Sequence, residues 1–188
     1  MHPRRIRDTK LRRVDVVLRP VKAGDLWLME RLADDPEAGG AFNWSGYRDI
    51  AATRRRFEEN RLLGPDRGCL IVEAGGAVAG DVVWGRVNYG TDAWWCWNIG
   101  IALLPEYRGH GHGTTAQRRL VEYLFATTTA HRIEACTDVE NVAEQRSLEK
   151  AGFLREGTVR GAQFRDGRWR DLFLYALLRT DAASEPRT

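Results

Sequence analysis

The chemistry-bearing residues with the most telling spacing are Arg108, Gly109, His110, Gly111, His112, Gly113 and Thr114. They stand between an apolar, aromatic run at 94–103 that reads as a strand and a segment at 114–125 that reads as an amphipathic helix through Leu120, Leu124 and Phe125. A glycine-rich turn from strand to helix suits an anion. The first N–H groups of a helix have no intrahelical partner, and the helix dipole adds positive potential there. Glycines at 109, 111 and 113 let the main chain approach the anion without Cβ obstruction, and Arg108 adds charge. The spacing does not fit the dinucleotide fingerprint, and no lysine followed by serine or threonine comes after the last glycine, so the mononucleotide P-loop is excluded too.

The elements that must hold this loop follow from periodicity and punctuation. A β-branched run at 14–20 is a first strand, and 23–33 is a helix with Leu26, Met29, Leu32 and Ala33 on one face. Residues 34–40 read as a loop leading into Phe42, Asn43 and Trp44, and 49–63 as an arginine-rich helix closed by Gly64 and Pro65. Strands at 69–74 and 77–89 form a hairpin over Gly75 and Gly76. The strand at 94–103 carries Gly100, where a bulge or a close backbone approach is expected. After the glycine loop and its helix come a strand at 132–137, a helix at 142–151 capped by Gly152, and a hairpin of 153–164 and 169–178 with Asp166 and Gly167 at its tip. The order β, α, α, β, β, β, α, β, α, β, β implies a mixed α/β domain, with an α+β character, built as three layers: a mostly antiparallel sheet and helices on both faces.

A length of 188 residues suits one domain with a full core, expected at 14–179 between a basic arm at 1–13 and a flexible tail at 180–188. No apolar run approaches a bilayer span and the start of the chain lacks a signal-peptide core, so a cytoplasmic protein without membrane partners is expected. The basic arm lacks aromatic interleaving or any nucleic-acid-binding signature, so no nucleic-acid partner is expected. Cys69, Cys96 and Cys136 share no metal-like spacing and read as buried strand thiols; no metal is expected. Cys96 stands close enough to the loop to raise a thiolate mechanism, with His110 and His112 as the nearest histidines.

Arg108, Gly111 and Gly113, following Leu103 and Pro105, resemble the acyl-CoA pyrophosphate loop of the GNAT family of N-acetyltransferases. The element order resembles the family from about 16 to 178, and Asn141 with Gly152 and Phe153 resembles its second signature. The resemblance implies about seven strands splayed between the fourth and fifth. The backbone of Ile99, Ile101 and Leu103 would then pair with the pantetheine arm, and an N–H freed at the bulge would face the thioester oxygen. It implies acetyl-CoA held by the loop 108–114, Asn141 and Arg146, and acetyl transfer to the primary amine of a small molecule or a protein N-terminus, in a branch like the ribosomal-protein acetyltransferases. A homodimer is among the assemblies it allows. Asn141 also reads simply as a helix N-cap.

Two departures from the family bear on proton transfer. Leu148 stands where many members carry a tyrosine that protonates the departing thiolate, and Asn98 stands where a glutamate is common. Glu144 is one helical turn before Leu148 and shares its face, which makes it the candidate acid or base, with Asn98 acting at most through water. The acceptor is expected against Phe42, Asn43, Trp44 and Trp84, and Asp171 is either an amine ligand or half of a cross-strand ion pair. Two other readings stay open: a noncatalytic CoA-binding sensor, and acyl transfer to a hydroxyl.

Overall fold

The computed structural model describes residues 15–184; the basic arm expected at 1–13 lies outside the described residues. Seven strands form one sheet in the order β1-β2-β3-β4-β5-β7-β6. They are β1 Val16–Pro20, β2 Arg67–Ala74, β3 Ala77–Asn88, β4 Trp95–Leu103, β5 Arg132–Asp138, β6 Leu154–Arg165 and β7 Arg168–Leu178. The helices are α1 Leu26–Asp34, α2 Pro36–Gly39, α3 Ala51–Asn60, α4 His112–Thr127, α5 Val142–Lys150 and α6 Arg179–Ser184.

The sheet is covered on both faces, and β2 shows why its residues are apolar almost throughout. Leu70, Val72 and Ala74 point to a core shared with Leu120, Val121 and Leu124 of α4 and Leu148 of α5. Cys69 and Ile71 point the other way, to a core with Leu28 and Leu32 of α1 and Phe57 of α3. Period-2 alternation thus feeds two cores at once.

Only β4 and β5 run parallel, and their ladder is short: Trp97 to Ile133, Asn98 to Glu134 and Ile99 to Ala135. From Gly100 onward β4 keeps its antiparallel partner β3, while β5, paired with β7 along its whole length, runs on to Asp138 without β4 beside it. The sheet therefore splays at Gly100, where the sequence marks it. Beside the splay, β3 and β4 come unusually close, because a Cβ at Gly80 would lie 2.0 Å from the Ala102 carbonyl oxygen.

Two expectations are corrected here. The stretch 34–40 contains a helical turn, α2, with Pro36 at its first position and the Asp35 carboxylate accepting the Glu37 N–H at 2.9 Å. The tail is helical to Ser184, and Arg179 anchors it by donating to the carbonyls of Phe125 (2.6 Å), Thr128 (2.8 Å) and Ala130 (2.6 Å).

Candidate active site

The glycine loop turns through left-handed residues at Gly109 (φ 76°) and Gly111 (φ 82°), and α4 starts at His112, two residues earlier than periodicity places it. Gly113 lies in the first helical turn, where a Cβ would meet Leu103, Ser147 and Ile101 at ordinary contact distances. Its freedom from a side chain keeps the helix start close to β4 and α5. The N–H groups of His112, Gly113 and Thr114 lead the helix and have no intrahelical acceptor. His112 is fixed by Nδ1 to the Tyr107 carbonyl at 3.0 Å, and its ring lies 5.8 Å from that of His110.

Arg108 is corrected. Its guanidinium turns inward and donates to the carbonyls of Leu103 (2.8 Å), Glu37 (3.2 Å) and Ala38 (2.5 Å). It ties the loop to α2 and β4, although the residue as a whole stays exposed. Arg146 is exposed on α5, with no ion pair among the described residues.

The splay opens onto two cavities that share Asn43, Gly100 and Ile101. The first, about 130 Å³, lies towards β5 and α5 and is lined by Phe42, Thr137, Asn141 and Glu144, among others. The Asn43 amide reaches the Ile101 carbonyl at 3.4 Å, so that carbonyl, like that of Leu103, faces away from β3 into the gap. Ile99, on the same alternation, is the last residue of β4 paired with β5, and the open edge begins after it. An unpaired strand edge beside a loop of free N–H groups fits an extended amide-bearing arm that ends in a pyrophosphate.

Glu144 is half-buried in this cavity, and burial pushes its carboxyl up to about 7, against the opposing pull of the Gln117 amide. Gln117 Nε2 donates to Glu144 Oε1. Ser147 Oγ donates to Gln117 Oε1 at 2.8 Å and lies 3.0 Å from Thr114 Oγ1. A chain of side chains thus runs from the first turn of α4 to the carboxylate. Asn141 caps α5 by accepting the Glu144 N–H at 3.2 Å, which uses its oxygen and leaves its amide hydrogens for a ligand. Leu148 is fully buried, so the next turn of α5 offers no proton donor.

The second cavity, about 510 Å³, lies between α1, α3 and strands β2 to β4. Its floor holds Asp81, only 7% exposed. Burial pushes this carboxyl up to about 6; the Cys69 thiol, its own N–H and Arg48 pull the other way. The thiol, at 3.7 Å from Oδ2, is its one side-chain partner among the described residues.

Several expected residues stand elsewhere. Asn98 lines neither cavity; its amide is 4.0 Å from Cys136 Sγ, within the paired part of β4. Trp44 packs edge-on against Tyr47, with ring centroids 5.4 Å apart, and over Gly39, outside both cavities. The Trp84 ring lies against Tyr123 of α4 and over Gly68, in the core on the far face, although Trp84 also forms part of the larger cavity's wall. Asp171 neither pairs with arginine nor faces a cavity: Oδ1 accepts the Gly161 N–H at 2.8 Å and steadies the irregular part of β6. Cys136 is exposed, not buried. Cys96 is buried, and burial, followed by Glu134, pushes its thiol up to about 12, which removes it as a nucleophile. Among the described residues no cluster of histidine, cysteine or acidic groups could hold a metal.

Three features escaped the sequence reading. Asp81 interrupts an apolar strand at an inward position, and Gln117 sits on the apolar stripe of α4 with Leu120 and Leu124; both signals were present. The buried pair of Arg165 and Asp138, at 2.5 Å, left no local signal. Arg165 also donates to the Phe42 carbonyl at 3.0 Å and lies over the Phe42 ring, which holds the 42–44 loop against the first cavity.

A splayed strand edge, an anion loop at a helix start and a carboxyl with a raised pKa thus stand together beside the end of β4. The chain belongs to the GNAT acetyltransferase domain family, whose family model matches residues 15–154. It is 40% identical over 83 residues to the probable N-acetyltransferase YjcK of Bacillus subtilis (strain 168), which covers 44% of this chain and 46% of that one. The chain thus spans about half the length of the curated relatives it matches first. Its fold is similar to a spermidine N-acetyltransferase from Vibrio cholerae in complex with CoA and spermine (TM-score 0.77, 22% identity, 90% of this chain and 98% of that one). It is similar also to Mycobacterium smegmatis RimJ in complex with CoA-disulfide (TM-score 0.70, 26% identity, 88% and 83%).

Proposed function

We propose that the chain is an acetyl-CoA-dependent N-acetyltransferase that passes the acetyl group directly to a primary amine. The observation that carries this reading is the splay at Gly100, which opens on one side to Glu144 and on the other to a cavity large enough for a small amine. Acetyl-CoA, the family's donor, supplies the acyl group already activated as a thioester.

The chain's own residues do the rest. The N–H groups at Gly109, His110, Gly111 and the first turn of α4, with Thr114 beside them, form the pyrophosphate cradle, and exposed Arg146 adds charge near it. The backbone of Ile99, Ile101 and Leu103 and the Asn141 amide orient the arm. The new C–N bond forms as C–S breaks, so the nitrogen must lose a proton and the sulfur must gain one. Glu144, protonated to a substantial extent at neutral pH, gives its proton to the sulfur. Asn98, whose amide lies 4.0 Å from Cys136 in the wall of the first cavity, is no acid or base itself and would act only through water.

The test is thiol release from acetyl-CoA across pH. In the wild type the rate falls as pH rises through about 7, where Glu144 loses its proton. Glu144→Gln lowers kcat by roughly 10²-fold or more and removes that limb; an unchanged profile overturns the role. Binding of CoA with no release on any amine would favour the sensor reading. The cavity size favours a small amine over a protein N-terminus. A homodimer belongs to the same reading: β6 is an edge strand with Leu154, Val159 and Phe164 exposed, and sedimentation would show whether a second copy covers it.

A further inference from the structure

The larger cavity has a charge pattern that the proposed reaction does not use. Among the described residues, Asp81, buried at its floor, has a weak thiol contact as its one side-chain partner and no cation within ion-pair distance. Arg48, Arg56 and Arg67 stand around the same cavity, and none has an ion pair among the described residues, whereas neighbouring Arg31 and Arg54 are matched by Asp35, Glu106 and Glu30. The one other acid in the lining, Asp49, is exposed, and its Oδ1 accepts the Ala51 N–H at 2.8 Å. The cavity is therefore negative at its floor and positive at its mouth.

We propose that this cavity takes a small primary amine bearing an anionic group, with Asp81 as the base that receives the ammonium proton and Arg48, Arg56 and Arg67 as the residues that select the anion. This rests on the N-acetyltransferase reading and specifies its acceptor. Register places the base within reach: Asp81 is opposite Ala102, and Gly100, at the splay, is the next residue of β4 on that face. Such diagonal neighbours lie roughly 7–8 Å apart, which leaves room for an amine between the carboxylate and the splay. Proton transfer turns the ammonium and carboxylate into a neutral amine and a carboxylic acid, with no atom left over. Burial favours that neutral pair, since it disfavours both charges. The amine lone pair is then free to attack. A polyamine fits poorly, because its further ammonium groups would meet three unpaired guanidinium groups.

The test compares matched acceptors in the thiol-release assay: β-alanine against its amide, phosphoethanolamine against ethanolamine, and spermidine. We expect at least one anionic amine to exceed its neutral partner by about tenfold in kcat/KM, the worth of one good ion pair. Which pair shows it tells carboxylate from phosphate. The Arg48→Gln/Arg56→Gln variant should abolish the preference through KM, and calorimetry should show that binding of the preferred amine to the CoA-bound protein weakens in parallel. Asp81→Asn should lower kcat/KM for every amine by about 10²-fold or more with the acetyl-CoA KM unchanged. It should also keep or raise the melting temperature, since it removes an unpaired buried charge; a residue there only for structure would lower it. Preference for spermidine or for neutral amines, a preference that survives the arginine variant, or normal turnover by Asp81→Asn overturns the proposal while leaving acetyl transfer intact. Absence of thiol release with every amine, with CoA still bound, overturns the underlying acetyltransferase reading as well.

Discussion

Arg108 shows how a residue can be legible in type and place while its work is not. Its position ahead of the glycines marks the loop, yet its three carbonyl partners include Glu37 and Ala38, some 70 positions away, and nothing local in the sequence announces them. The guanidinium fork bridges α2 and β4, a geometry a lysine ammonium cannot copy. Arg108→Lys is therefore expected to behave much like Arg108→Ala. Both should lose about 2–3 kcal/mol in urea unfolding, the range for hydrogen bonds from a charged donor, and raise the acetyl-CoA KM as the loop loosens. A lysine variant with wild-type stability would show that the charge, not the fork, matters. Glu144 is the opposite case: helical spacing from Leu148 singles out its position, and the raised pKa follows from its placement in the cleft.

Among the elements, α4 and α5 act together through Thr114, Ser147, Gln117 and Glu144. Both helices and the splayed strand could be read from periodicity and from Gly100. The coupling could not, because it depends on the angle at which two helices meet. Gln117 holds the Glu144 carboxylate by donating to it, which pulls its pKa down against burial. Replacing Gln117 with Met keeps the volume and removes the donor, so the Glu144 pKa rises further and the alkaline limb of the rate profile moves to higher pH. A pH titration of kcat checks this; a limb that stays or moves down would mean that Gln117 does not set the carboxyl. The helical turn α2 was missed for a simpler reason. Asp35 and Pro36 are helix-start residues, but with Gly39 and Gly40 close behind they look like loop punctuation.

At the scale of the molecule, three carboxyls that line the two cavities divide by whether a guanidinium pairs with them. Asp138 faces Arg165: burial works against its charge, but the Glu140 N–H and the guanidinium outweigh that and hold its carboxyl below the usual range. Its stabilisation is present above the unfolded value of 3.8 and is lost as pH falls. Asp138→Asn leaves the buried Arg165 charge with only the exposed Asp166, at 3.7 Å, as an acidic partner, at a cost of about 3 kcal/mol. Asp81 and Glu144 face cavities, and their carboxyls are raised, from 3.8 to about 6 and from 4.5 to about 7. For a raised acid the native state binds more protons than the unfolded chain between the two values. Stability is therefore fullest below the unfolded value and falls as pH rises through the native one. A two-unit shift corresponds to about 3 kcal/mol. The fold is thus expected to lose stability between about pH 4 and 7, the price of keeping two unpaired carboxyls where chemistry needs them. The double variant Asp81→Asn/Glu144→Gln should flatten that decline, measured as urea midpoint against pH, while abolishing turnover. If the decline persists in the double variant, it arises elsewhere in the charge network, and the link between these two cavities and the molecule's stability fails.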